Sequence, residues 1–200
     1  MLKLKEVRKS YHHNQGLVRV NMTIKPGNIY LLVGENGSGK STTIKLLSKV
    51  IFNKHQDGEI LNEFKKIVYL PDKRNYPKLL NVSTFLKYFL GDKSMNQTIM
   101  TYLERYNVPN KNIGYLSKGM LQKVGIIQSL LSQGDLFLFD EPTDGLDLDS
   151  IKLFKDDLLK MLDENKTIII STHSKQLFKD LKPIIYNFKE GVCDDKTKAA

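Results

Sequence analysis

Gly34-Glu35-Asn36-Gly37-Ser38-Gly39-Lys40-Ser41-Thr42, preceded by the apolar run Ile29-Tyr30-Leu31-Leu32-Val33, decides how the rest of the chain is read. The stretch fits the phosphate-binding pattern G-x-x-x-x-G-K-[ST] in the context the pattern requires, a strand before it and a helix after it. Its glycines let consecutive backbone N–H groups turn inward around an anion. The following helix aims its N-terminal dipole at the same point. Lys40 supplies a point charge for the β- and γ-phosphates, and the Ser41 hydroxyl is placed to ligate Mg²⁺. Residues 34–42 are therefore expected to bind a nucleoside triphosphate, with Glu35, Asn36, Ser38 and Thr42 contributing backbone to the cradle.

Outward from this stretch, the 200 residues suit one domain with a small insertion. The hydrophobic fraction of 40% and the charged fraction of 26% are those of an ordinary globular protein. No apolar run approaches the roughly 18 residues of a membrane span. Met1-Leu2-Lys3-Leu4-Lys5 has no apolar core of the secretory kind. The single cysteine, Cys193, excludes an internal disulfide and suits a reducing compartment. The net charge of +9 is uneven: residues 1–50 hold nine Lys/Arg against two acids, residues 101–150 four against seven. Only four of the 31 basic residues are arginine, which disfavours base-specific reading of nucleic acid. A solvated basic surface is the expectation.

Taken in order, Leu2–Val7 and Val18–Ile24 alternate as strands, with a polar turn region at 10–16 between them. Ile44, Leu47 and Ile51 share a helix face after the phosphate loop. Glu59–Leu61 and Ile67–Leu70 are short strands, the second stopped by Pro71. The character changes at Asp72. Two helices are expected before Tyr115, one capped by Ser83 and carrying Phe85, Leu86, Phe89 and Leu90, the other carrying Ile99, Leu103 and Tyr106. Ser117 caps a third helix with Met120, Val124, Ile127 and Leu131 on one face. Leu136-Phe-Leu-Phe139 is a continuous apolar run ending in Asp140-Glu141, as in a parallel strand covered on both faces. A helix opening at Asp149 or Ser150, a central strand Thr167–Ile170, a short helix Lys175–Leu181 and a last strand Ile184–Tyr186 complete the α/β pattern. Such sheets bind ligands at the carboxyl ends of their strands.

With Leu116-Ser117-Lys118-Gly119-Met120 standing 23 residues before Asp140, the chain resembles the ATP-binding cassette (ABC) ATPases, exporter-type cassettes in particular, over nearly its whole length. The resemblance implies an α/β P-loop NTPase fold with a central, mostly parallel sheet, an N-terminal antiparallel β subdomain and a small helical insertion. Residues 1–71 and 116–191 would form the ATPase core, 72–115 the helical subdomain and 192–200 a mobile tail. It further implies that Glu141 is the general base for the attacking water, that Asp140 holds Mg²⁺ with Ser41, and that His173 hydrogen-bonds the γ-phosphate. Tyr11 would stack on adenine, and Asp147, in Asp144-Gly145-Leu146-Asp147, would contact the opposite subunit. Ser117, Lys118, Gly119 and Met120 would act in trans on the nucleotide of a second cassette.

Three features depart from the family's pattern. Asp72 stands where glutamine is common, keeping an oxygen acceptor for the metal but losing an amide donor. Lys118 and Met120 replace the commoner glycine and glutamine. The chain also stops soon after its last strand, leaving no room for a C-terminal regulatory domain. The implied function is ATP hydrolysis by a dimer that drives a separate integral-membrane permease from the cytoplasmic face. Phe85, Tyr88 and Phe89 of the helical insertion would form the docking surface, although at least two of them are expected to pack inward. A soluble ABC ATPase working on a nucleic-acid or ribosomal assembly is the alternative, as is a cassette that binds ATP without turning it over. Relatives of the first kind tend to carry two cassettes, coiled coils or arms, and none is visible here.

Overall fold

The computed structural model describes residues 1–9, 18–50 and 56–193. Tyr11 and Ile51 lie outside them. Two sheets share one chain. The first has the order β4 (Gln56–Asn62), β1 (Leu2–Lys9), β2 (Val18–Ile24), β9 (Val192–Cys193), antiparallel except where β2 meets β9. The second is wholly parallel, in the order β5 (Ile67–Leu70), β6 (Leu136–Asp140), β7 (Thr167–Thr172), β3 (Ile29–Val33), β8 (Ile184–Asn187).

Successive side chains of a strand point to opposite faces, so each apolar run of the parallel sheet feeds two cores. Ile29, Leu31, Phe137, Phe139, Ile168 and Ile170 face α4 (Lys118–Leu130) and α5 (Leu148–Asp163). Tyr30, Leu32, Leu136, Leu138 and Ile169 face the antiparallel sheet, with α1 (Lys40–Leu47) packed between the two sheets through Ile44, Leu46 and Leu47. Phe139 meets Phe154 of α5 edge-on at 5.3 Å between centroids. Burial on both faces explains why these strands read as unbroken apolar runs.

The segment 72–115 carries α2 (Val82–Leu90) and α3 (Asn96–Arg105). It builds no separate core: Val82, Leu86, Ile99, Leu103 and Tyr106 join the cluster that contains Leu70 and Phe139. A buried charge network fastens it. Asp157 of α5 is 2% exposed and accepts from Arg105 Nη1 at 2.6 Å and from the Tyr106 hydroxyl at 2.8 Å. Burial, and then the Asp157 charge, push the Tyr106 phenol far above its ordinary range.

Several local expectations are corrected. Asn81, not Ser83, stands before α2; Ser83 is buried inside it, its N–H donating to Asn110 Oδ1 at 3.0 Å. The cap of α5 is Asp147, whose carboxylate accepts from Ser150 N at 2.8 Å, so the helix begins before Asp149 and Ser150. The short helix expected at Lys175–Leu181 forms with those bounds, wound as a 3₁₀ helix. Of the three aromatics of α2, Phe85 packs against the core, whereas Tyr88 and Phe89 are 74% and 54% exposed, so fewer pack inward than expected. Val192 and Cys193, assigned to the tail, pair with β2, and Cys193 is buried; residues 194–200 lie outside the described residues.

Removing the Asp157 carboxylate strands a guanidinium and a buried hydroxyl. Asp157→Ala is expected to lower stability by about 2 kcal/mol in urea denaturation. A loss below about 0.5 kcal/mol would mean that the network contributes nothing to holding α3 on α5.

Candidate functional site

The order β6–β7–β3 places three carboxyl-terminal strand ends side by side. The loop after β3 enters α1 through Gly39 at φ +100°, a left-handed conformation that a Cβ would strain. A cleft of about 470 Å³ opens above these ends, lined by residues 36–42, Asp72, Glu141, Asp144 and His173. Of the residues singled out in the sequence, the fold thus gathers the phosphate-loop residues, Asp72, Glu141 and His173 around one space.

Lys40 is 5% exposed; its Nζ donates to Gly34 O at 2.7 Å and Glu35 O at 2.9 Å and lies 3.8 Å from Glu141 Oε1. The Ser38 hydroxyl is buried beside the cleft without a hydrogen-bond partner among the described residues. An unpartnered donor next to a lysine and a helix N-terminus suits an oxyanion. Ser41, in the first turn of α1, donates its hydroxyl to Asp140 Oδ1 at 2.8 Å, and Ser171 Oγ donates to the same oxygen at 2.5 Å. Asp140 itself is 1% exposed. No group of three or more His, Cys, Asp or Glu among the described residues forms an all-protein metal cage. One hydroxyl next to one carboxylate is instead the sparse donor set that suits a Mg²⁺ sharing its coordination with phosphate oxygens and water.

Glu141 follows directly. Its φ is +47°, and its N–H is held by Ser171 O at 3.2 Å and Ser171 Oγ at 3.0 Å. A left-handed glutamate at a strand end is a strained placement, fixed by its surroundings. Its carboxylate lies 3.2 Å from His173 Nδ1. Burial raises the Glu141 pKa above the usual value, and Lys40 and His173 draw it part of the way back.

Ser117, Lys118, Gly119 and Met120 do not line the cleft of their own chain. They begin α4, where Ser117 accepts from Met120 N at 3.3 Å as its cap. Lys118 pairs with Asp144 at 2.9 Å, and Gly119 lies so close to Gly145 O that a Cβ would collide with it. Asp147 is engaged within its own chain, by Ser150 and by Lys123 Nζ at 3.0 Å, and these bonds hold its carboxyl well below the usual range. Neither Ser171 nor Asp144 was given a role of its own in the sequence. Ser171 had one available signal, a polar residue that ends the apolar run of its strand two positions before His173. Tyr11 lies outside the described residues.

Comparison with known proteins agrees with this geometry. A family model described as ABC transporter matches residues 17–144. An ABC transporter ATP-binding protein of Methanocaldococcus jannaschii is 30% identical over 198 residues, covering 95% of this chain and 74% of the relative. The lantibiotic transport ATP-binding protein SrtF of Streptococcus pyogenes is 31% identical over 185 residues, covering 86% and 80%. Among solved structures, an ATP-binding subunit of an ABC transporter superposes with a TM-score of 0.84 at 22% identity, covering 96% of this chain and 88% of that one. A dimeric ATP-binding cassette in a post-hydrolysis state, bound to ADP and Pi, does so with a TM-score of 0.83 at 22% identity, covering 98% and 97%.

Proposed function

The chain belongs to the ABC transporter family, as an ATP-binding and ATP-hydrolysing cassette, and from that premise we propose how its residues divide the work. Two cassettes pack head to tail with ATP between the phosphate loop of one and Ser117–Met120 of the other. The observation that carries this reading is the meeting of Lys40, Ser41, Glu141 and His173 around one cleft, with Asp140 buried behind Ser41, while Ser117–Met120 stay outside it. The neighbour solved as a cassette dimer supports the arrangement.

Residues 34–42 wrap the triphosphate with backbone N–H groups, and Lys40 exchanges the carbonyls of Gly34 and Glu35 for the β- and γ-phosphate oxygens. Ser41 and Asp140, with Asp72 at the rim, would hold Mg²⁺, which when bound neutralises charge across the β- and γ-phosphates. Glu141 takes the proton of the attacking water; burial makes its carboxylate more basic than an ordinary glutamate's. His173 orients Glu141 and donates to the γ-phosphate. Because ATP forms part of the interface, it favours the closed dimer, and loss of the γ-phosphate contacts lets the dimer open.

Segments 1–71 and 116–193 act as the ATPase core, β9 included, and 72–115 as the helical subdomain. Among the described residues no helix is long and apolar enough to cross a membrane. In the proposed reading the cassette works with an integral-membrane permease and binds it from the cytoplasmic side. The exposed Tyr88 and Phe89 of α2 offer the apolar docking surface. The relatives' names, which describe transport ATP-binding proteins, favour this reading over a soluble assembly factor.

Glu141→Gln keeps the shape of the carboxylate without its basicity. It is expected to bind ATP, to lose at least about a hundredfold in turnover, and to accumulate an ATP-bound dimer on size-exclusion chromatography. Wild-type turnover would remove Glu141 from the mechanism. The raised pKa sets the pH dependence. The base works only when ionised, so kcat/KM falls on acidification with a midpoint above the roughly 4.3 of an unperturbed glutamate. A limb at or below that value, measured with ATP in saturating Mg²⁺, would contradict the assignment.

A further inference from the structure

We infer that Gln122 of α4 is a positioning residue for Glu141, acting on the backbone that carries the carboxylate. This rests on the reading of Glu141 as the base. Gln122 is 5% exposed, and its Nε2 donates to Pro142 O at 2.6 Å and reaches Glu141 O at 3.4 Å. On the other side of the same residue, the Glu141 N–H is held by Ser171 of β7. Both flanks of a left-handed glutamate are thus gripped, by side chains from two different elements. An L residue relaxes out of this conformation unless it is held, because its Cβ crowds the following carbonyl oxygen. Relaxation there would swing the carboxylate away from Lys40 and His173.

The Gln122 amide has only one workable orientation. Its Oε1 accepts from Arg74 Nη2, which also reaches Asp72 O at 3.4 Å. A guanidinium can only donate and a carbonyl can only accept, so the amide oxygen must face Arg74 and the amide nitrogen the carbonyls. Less than one helical turn along α4, Gly125 leaves room for the guanidinium, into which a Cβ would run. Arg74 comes from the segment that also carries Asp72. The chain of contacts therefore runs from the rim of the cleft, through the helix begun by Ser117, to the backbone of the base. None of these contacts leaves a periodic signal in the sequence.

Gln122→Glu separates this role from packing. It keeps the size of the side chain and an acceptor for Arg74, but sets an oxygen against the carbonyls of Glu141 and Pro142. The expected result is a kcat for ATP hydrolysis at least about tenfold lower, with a directly measured nucleotide Kd within about twofold of wild type. A kcat within about twofold of wild type overturns the inference, and so does a Kd that weakens in step with kcat, which marks a general disturbance of the fold. Should Gln122→Glu not fold, Gln122→Met, which has similar length and loses all three contacts, is read by the same two quantities. Glu141→Gln assayed alongside separates the failures. Normal turnover there sinks the assignment of the base, whereas an inactive Glu141→Gln beside an active Gln122→Glu sinks only the role of Gln122.

Discussion

A single buried carboxylate sets the terms of this site. Asp140 is 1% exposed and accepts from Ser41 of the phosphate-loop helix and from Ser171 of the neighbouring strand. A charge removed from water must be paired or hydrogen-bonded, or its desolvation goes uncompensated. Meeting that demand ties α1 to the ends of β6 and β7. The loop that precedes α1 is then held beside Glu141, and its lysine reaches to 3.8 Å from that carboxylate. The strand order makes this possible. With β6, β7 and β3 adjacent at about 4.8 Å per step, their carboxyl ends fall within roughly 10 Å of one another. The cleft sits where an open parallel sheet binds its ligands.

The remainder of the fold makes that arrangement stiff. Both faces of the parallel sheet are covered, by α4 and α5 on one side and by α1 and the antiparallel sheet on the other. Close packing leaves the strand ends little freedom, so a strained backbone such as that of Glu141 persists where an exposed loop would relax it. The loop carrying Asp144 and Asp147 is bound in the same way to α4, through Lys118 and Lys123. The start of α4 therefore reports on the cleft although it is not part of it. In the two-cassette arrangement proposed above, this would be the physical link between the surface that one cassette presents and Glu141, its proposed base.

How much of this was legible in the sequence depended on how far each contact reached along the chain. Leu136–Phe139 and Thr167–Ile170 were legible as central strands because double burial leaves an unbroken apolar run. The phosphate loop was legible because its chemistry is local. Asp147 was harder to place: three capping residues, Asp147, Asp149 and Ser150, compete within four positions, and only tertiary geometry chooses among them. Ser171 and Gln122 act across 30 and 19 residues, and such bonds impose no period. The pairing of Val192–Cys193 with β2 spans two residues, too few for any alternation to show. Tyr88 and Phe89 failed for another reason: spacing on a helix does not reveal whether a partner protein or the core covers the face.

The central claim is that each nucleotide is shared by two cassettes, one supplying Lys40 and the other Ser117. Nucleotide binding and steady-state hydrolysis by Ser117→Arg test it most directly. Ser117 lies outside the cleft of its own chain, so the isolated cassette is expected to bind ATP with wild-type affinity. The arginine's bulk and charge then block the shared interface, and hydrolysis is lost. Full hydrolysis by Ser117→Arg would contradict the account and reduce Ser117 to the cap of a helix.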